Sequence, residues 1–163
     1  GLVISNRPEA AGLRAADARG VTAICIDHKD YASREDFERE LDAALRAHAI
    51  EFVVCAGFMR VLTAGFVEGW TDRMINIHPS LLPKYKGLNT HARALAAGDR
   101  HHGCTVHWVS EGVDEGGIIA QSELSILETD TTDSLAERVQ ALEHALYPTA
   151  LAQALREINP AAD

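Results

Sequence analysis

"MINIHPSLLPKYKG", residues 74–87, begins as a strand and cannot continue as one. Met74, Ile75 and Ile77 are apolar, and Asn76 and His78 interrupt them at alternate positions. Pro79 and Pro83 then bar both helix and central strand, because proline has no amide hydrogen to give to a ladder. Residues i and i+2 of a strand face the same side. An amide and an imidazole therefore point together from the C-terminal end of a strand, at the place where the chain turns away. Open α/β sheets take their ligands at that edge.

Outward from this stretch the chain alternates. Residues 1–5, 21–26, 51–57 and 73–78 read as strands, and 8–20, 33–48, 90–99 and 132–155 as helices. Ser33 and Asp36 fit a capping box at the start of the second helix. The continuous apolar runs at 21–26 and 51–56 suit strands buried on both faces. Residues 103–109 and 116–124 flank a short glycine-rich loop and should pair antiparallel. Pro148 should bend the last helix. The expected fold is α/β: a doubly wound, mostly parallel sheet with helices on both faces, forming one domain over 1–163. No G-x-G-x-x-G or Walker pattern occurs, although the first strand of such a sheet usually opens a phosphate loop.

Composition narrows the partners. The 163 residues are 47% hydrophobic and 24% charged, with a formal net charge of −9. A phosphate backbone or anionic membrane would be repelled by that charge, so neither nucleic acid nor membrane is an expected partner. No run of about 18 apolar residues suggests a membrane span, and no basic-then-apolar leader is visible, so a cytoplasmic location is the default. Cys25, Cys55 and Cys104 form no C-x-x-C pair and read as buried reduced thiols. His101 and His102, in a polar stretch before a strand, read as surface residues. No zinc-ligand spacing appears, so no metal is expected.

A neutral amide beside an imidazole suits acyl-type chemistry. The amide can hold a developing oxyanion, and the imidazole can do so when protonated or can move protons. Asp114, in "SEGVDEGG" (110–117), is the best candidate to orient the histidine, in a loop whose glycines let backbone approach a ligand closely. Taken singly, each residue has a plainer reading: Asn76 as a hydrogen-bonder at a strand end, His78 as a satisfied rim histidine, Asp114 as a turn residue. No serine or cysteine nucleophile stands out. Direct transfer between two bound substrates therefore fits better than a covalent intermediate.

"NIHPSLLPKYKG" followed by "GCTVHWVSEGVDEGGIIAQ" closely resembles the phosphoribosylglycinamide formyltransferase family, whose Rossmann-like fold the chain should share. "VISN" (3–6), "SRE" (33–35), "AGFMRVL" (56–62) and "RVQALEHALYP" (138–148) extend the resemblance over nearly the whole chain. The family moves a formyl group from 10-formyltetrahydrofolate, its cosubstrate, to the amino group of glycinamide ribonucleotide in purine biosynthesis. The resemblance implies that Asn76 polarises the formyl oxygen, that His78 stabilises the oxyanion and shuttles the proton, and that Asp114 holds His78. His107 would support the same network or merely pack. Folate would lie along Met59, Arg60, Val61, Leu62, Asn76 and the loop of Ser110, Glu111, Gly112, Val113 and Asp114, with Arg34 near its carboxylate tail. Pro79, Gln140 and Glu143 match positions that hold the nucleotide. The resemblance allows a homodimer.

The family's chains begin with a further strand, a phosphate-cradling Gly-Ser-Asn loop and a helix that this sequence does not contain, and it reads as part of a longer protein rather than as a truncated, disabled one. That departure keeps a non-catalytic folate-binding relic among the readings. Formyltetrahydrofolate deformylase, which delivers the formyl group to water with the same Asn, His and Asp, is a second rival.

Overall fold

The computed structural model describes residues 1–159. The elements are β1 (Leu2–Ser5), α1 (Ala11–Asp17), β2 (Thr22–Cys25), a 3-10 turn (His28–Asp30), α2 (Arg34–Ala47), β3 (Val53–Ala56), α3 (Ala64–Gly69), β4 (Met74–His78), α4 (Thr90–Ala96), β5 (His101–Trp108), β6 (Ile118–Ser125) and α5 (Thr132–Ile158). Two compact units emerge. One holds Gly1–Val53 and Leu62–Gly69, the other Val54–Val61 and the residues from Trp70 on.

In the first unit β1 and β2 pair in parallel, from Leu2 opposite Thr22 to Ser5 opposite Cys25. The α2 start behaves as its cap predicts: the Ser33 hydroxyl accepts from the Asp36 amide at 3.0 Å. Phe37 and Leu45 bury the apolar face of α2. Glu38 is buried beside them and accepts from both the backbone amide and the hydroxyl of Thr63. A buried carboxylate is tolerated when its oxygens are hydrogen-bonded, and here it pins the residue just before α3 to α2. Helix α1 is shorter than the expected 8–20, because Ala10 offers no side-chain cap and Gly20 turns the chain left-handed.

The second unit carries a four-stranded sheet in the order β3-β4-β5-β6. β5 runs antiparallel to both neighbours. The hairpin expected from 103–109 and 116–124 is thus present, and β5 is the reversed strand of an otherwise α/β arrangement. Helix α5 lies against β4, β5 and β6. Leu135, Val139, Ala150 and Ala154, at i,i+4 spacing within each pair, are wholly buried. Thr131 and Ser134 cap α5 reciprocally. The helix continues through Pro148, whose missing N–H leaves the His144 carbonyl without its helical donor. One residue earlier, the Tyr147 hydroxyl donates to the Cys55 carbonyl at 2.5 Å and lies 3.3 Å from that of Ile75, tying α5 to β3 and β4. No helix among the described residues is long and apolar enough to cross a membrane.

Several expectations are corrected. β2 and β3 are not buried on both faces: Val54 is 44% exposed and Cys25 is exposed, because each strand sits at the edge of its sheet. His102 is not a surface residue. Successive strand residues face opposite ways, so His101 reaches solvent beside Glu123 while His102 is 1% exposed. Its Nε2 lies 3.1 Å from His91 Nδ1. Burial, with the neighbouring His91 second, pushes the His102 ring down to about 4 from 6.5.

The sign of the resulting pH dependence is fixed by that depression. The unfolded chain takes up the proton first, so folded stability falls as pH drops from about 6.5 towards 4. Urea denaturation across this window should show the decline, and His102→Gln should flatten it. An unchanged slope in the variant would contradict the assignment.

Candidate active site

The β4–β5 register builds the site. It sets Asn76 opposite His107 and His78 opposite Thr105. His107 Nδ1 donates to the Trp108 carbonyl at 2.9 Å, which leaves Nε2 to accept from the Asn76 amide at 3.2 Å. One Asn76 N–H is thereby used, and the second amide hydrogen is left for a bound group.

Thr105 anchors the turn that follows β4. Its hydroxyl donates to the Ser80 carbonyl at 2.7 Å and accepts from the Leu82 amide at 3.1 Å and the Gln121 amide at 2.8 Å. Ser80 is fully buried and its hydroxyl donates to the Lys84 carbonyl at 2.6 Å. The proline-bearing segment is therefore folded back onto β5 and β6, and it brings the Tyr85 carbonyl to His78.

His78 is 6% exposed and held from both sides. Nδ1 lies 3.3 Å from Asp114 Oδ2, and Nε2 lies 2.9 Å from the Tyr85 carbonyl. Both partners can only accept, so each ring nitrogen faces an oxygen acceptor. Asp114 also accepts from the Gly87 amide at 2.8 Å, and its Oδ1 lies 3.6 Å from His107 Nε2. Burial pushes the Asp114 carboxyl up, but the neighbouring His107, the Gly87 amide and the neighbouring His78 outweigh it and hold the carboxyl below its ordinary value. Asp114 itself has a φ of 53°, in the left-handed region that non-glycine residues seldom adopt.

The loop carrying Asp114 depends on one glycine. A Cβ at Gly116 would stand 1.7 Å from the Trp108 carbonyl oxygen. These glycines are expected to bring backbone close to a ligand; the close approach that the structure shows is to the end of β5, whose Trp108 amide donates to the Gly117 carbonyl at 2.9 Å.

Met59 is 69% and Val61 51% exposed, with Arg60 half-buried between them. In the 110–114 loop, Ser110, Gly112 and Asp114 are half-buried, while Glu111 and Val113 are exposed. Pro79, next to His78, is half-buried. Arg34, exposed at the start of α2, and Leu62 belong to the first unit. Gln140 and Glu143 lie on α5, and burial pushes the Glu143 carboxyl up. Among the described residues, the structure joins Asn76, His78, Asp114 and His107 into one network. Tyr85 and Gly87 complete it through backbone groups, which leave no side-chain signature in a sequence.

Burial pushes the Cys55 and Cys104 thiols up to about 12, so neither is a thiolate at neutral pH.

An amide, two imidazoles and a carboxylate are gathered at a strand end of an α/β fold, groups able to donate to a carbonyl oxygen and to move a proton. The chain belongs to the formyl transferase family, whose profile matches residues 1–151. It is 51% identical over 151 residues to the trifunctional purine biosynthetic protein adenosine-3 of Drosophila melanogaster, covering 93% of this chain and 11% of that protein. It is 43% identical over 146 residues to the phosphoribosylglycinamide formyltransferase of Escherichia coli K12, covering 90% of this chain and 69% of that one. The solved structure of phosphoribosylglycinamide formyltransferase from Coxiella burnetii superposes with a TM-score of 0.86 at 49% identity, covering 92% of this chain and 71% of its own.

Gly116→Ala should destabilise the protein by about 2 kcal/mol, since backbone must move to admit the methyl group. Chemical denaturation measures this, and a loss below about 0.5 kcal/mol would show that the loop yields freely.

Proposed function

We propose that the chain transfers the formyl group of 10-formyltetrahydrofolate directly to the amino group of glycinamide ribonucleotide, through a tetrahedral intermediate. The observation that carries this reading is the Asn76–His78–Asp114 cluster, which offers an oxyanion donor and a proton carrier but no activated nucleophile. The relatives bearing the formyltransferase name support it. Exposed apolar side chains at Met59, Val61 and Val113 suit a flat heteroaromatic ligand lying beside the cluster residues.

In this reading the free Asn76 amide hydrogen donates to the formyl oxygen as it gains negative charge. The His78 N–H that faces the Tyr85 carbonyl turns to the same oxygen and gives it its proton, and the ring nitrogen so freed takes the proton displaced from the attacking amine. Asp114 keeps the ring oriented throughout, and its lowered pKa keeps it anionic to do so. Such donors act most strongly when fixed in place before charge develops. Asn76 meets that condition through His107. Pro79, Gln140 and Glu143 are assigned to the nucleotide, and Arg60 with the 110–114 loop to the folate.

Asn76→Ala should lower turnover by roughly 10²–10³-fold, the usual cost of losing an oxyanion donor. A steady-state assay following tetrahydrofolate and formylated nucleotide checks this. A loss smaller than about fivefold would remove Asn76 from the reaction.

A further inference from the structure

Asp114 is only one of the two groups that hold His78. The other is the Tyr85 carbonyl, 2.9 Å from Nε2. Tyr85 has a φ of 57°, a region unfavourable to any residue with a Cβ. Such a conformation persists only where the surroundings impose it. The surroundings are specific. The Tyr85 hydroxyl donates to Asp99 Oδ2 at 2.8 Å, and Lys84 Nζ reaches both Asp99 oxygens at 2.9 and 3.1 Å. The Arg93 guanidinium sits 5.2 Å from the centre of the Tyr85 ring and donates to the Lys86 carbonyl at 2.7 Å.

Asp99 is itself rigidly placed. Gly98, at φ 66°, ends α4, with its amide on the Leu95 carbonyl and the Asp99 amide on the Ala94 carbonyl. This is the paired closure of a Schellman motif. A carboxylate is thus carried by a helix cap to the segment that presents a carbonyl to His78.

We infer that Asp99 is a positioning residue for the transfer reaction: through the Tyr85 hydroxyl it fixes the Tyr85 peptide, and through that carbonyl it sets the His78 ring against Asp114. The inference rests on His78 being the proton-handling group of the proposed function. A purely structural role fits Asp99 poorly. The Lys84 side chain of its ion pair is 61% exposed, and exposed pairs contribute little to stability. The consequence of cutting the Tyr85–Asp99 link therefore belongs in turnover rather than in folding. With one side of the ring released, His78 samples orientations in which it cannot reach the substrate.

The test compares Tyr85→Phe, Asp99→Ala and the double variant with His78→Ala in the full chain. Kinetics with glycinamide ribonucleotide and 10-formyltetrahydrofolate are paired with long-range ¹H–¹⁵N spectra of the His78 ring. Each single variant should lose about 5- to 10-fold in kcat, the effect of one hydrogen bond, with KM values within about twofold. The double variant should be no worse than the singles, because both cut the same chain of contacts. Asp99→Asn, which keeps an acceptor for the hydroxyl, should recover most of the loss. The His78 ring signals should move in Tyr85→Phe and Asp99→Ala. Unchanged kcat and unmoved ring signals in those two variants, alongside a crippled His78→Ala, would overturn the inference and leave the proposed function standing. Full activity of His78→Ala would overturn both.

Discussion

The antiparallel register between β4 and β5 is the constraint on which the site depends. It sets Asn76 against His107 and His78 against Thr105. A slip of one residue would turn every side chain of β4 to the other face, taking Asn76 and His78 away from His107 and Asp114 and setting Ile75 and Ile77 in their place. Those two residues, at 0% and 7% exposure, lock the register by their burial. Both faces of β4 are buried, and the register decides which of them meets the polar network.

From that register the polar network closes outward. Thr105 and Gln121 fasten the 79–83 turn, which delivers the Tyr85 carbonyl and the Gly87 amide. Gly116 lets the loop after β5 press against Trp108, which returns Asp114 to the same place. A buried carboxylate is costly unless its lone pairs are met. Asp114 accepts from the Gly87 amide and has the His78 ring 3.3 Å away. The anion is preorganised, and its strained backbone sits where strain is commonly stored, beside the reacting groups.

Much of this was legible. The period-2 pattern of residues 74–78 announced Asn76 and His78 as neighbours, and the glycines of 110–117 announced a tight loop around Asp114. The hairpin of β5 with β6 followed from its short connection. Other features were hidden for definite reasons. Tyr85 and Gly87 act through main-chain groups, which any residue possesses. Helix α3 spans only Ala64–Gly69, too short to show a helical period. His102 reads as a surface residue when the strand is begun at 103, two residues inside its true start at His101. Begun at 101, the alternation would have turned His102 inward. Cys25 and Val54 looked like core residues because apolar runs do not reveal whether a strand lies at a sheet edge.

The decisive measurement is a single-turnover reaction of the chain with ¹³C-formyl-labelled 10-formyltetrahydrofolate and glycinamide ribonucleotide, quenched and read by NMR and mass spectrometry. Direct transfer between substrates predicts label on the nucleotide amide, none on the protein, and no formate at the rate of turnover. Label appearing as formate whether or not nucleotide is present, or attached to a protein side chain, would contradict it.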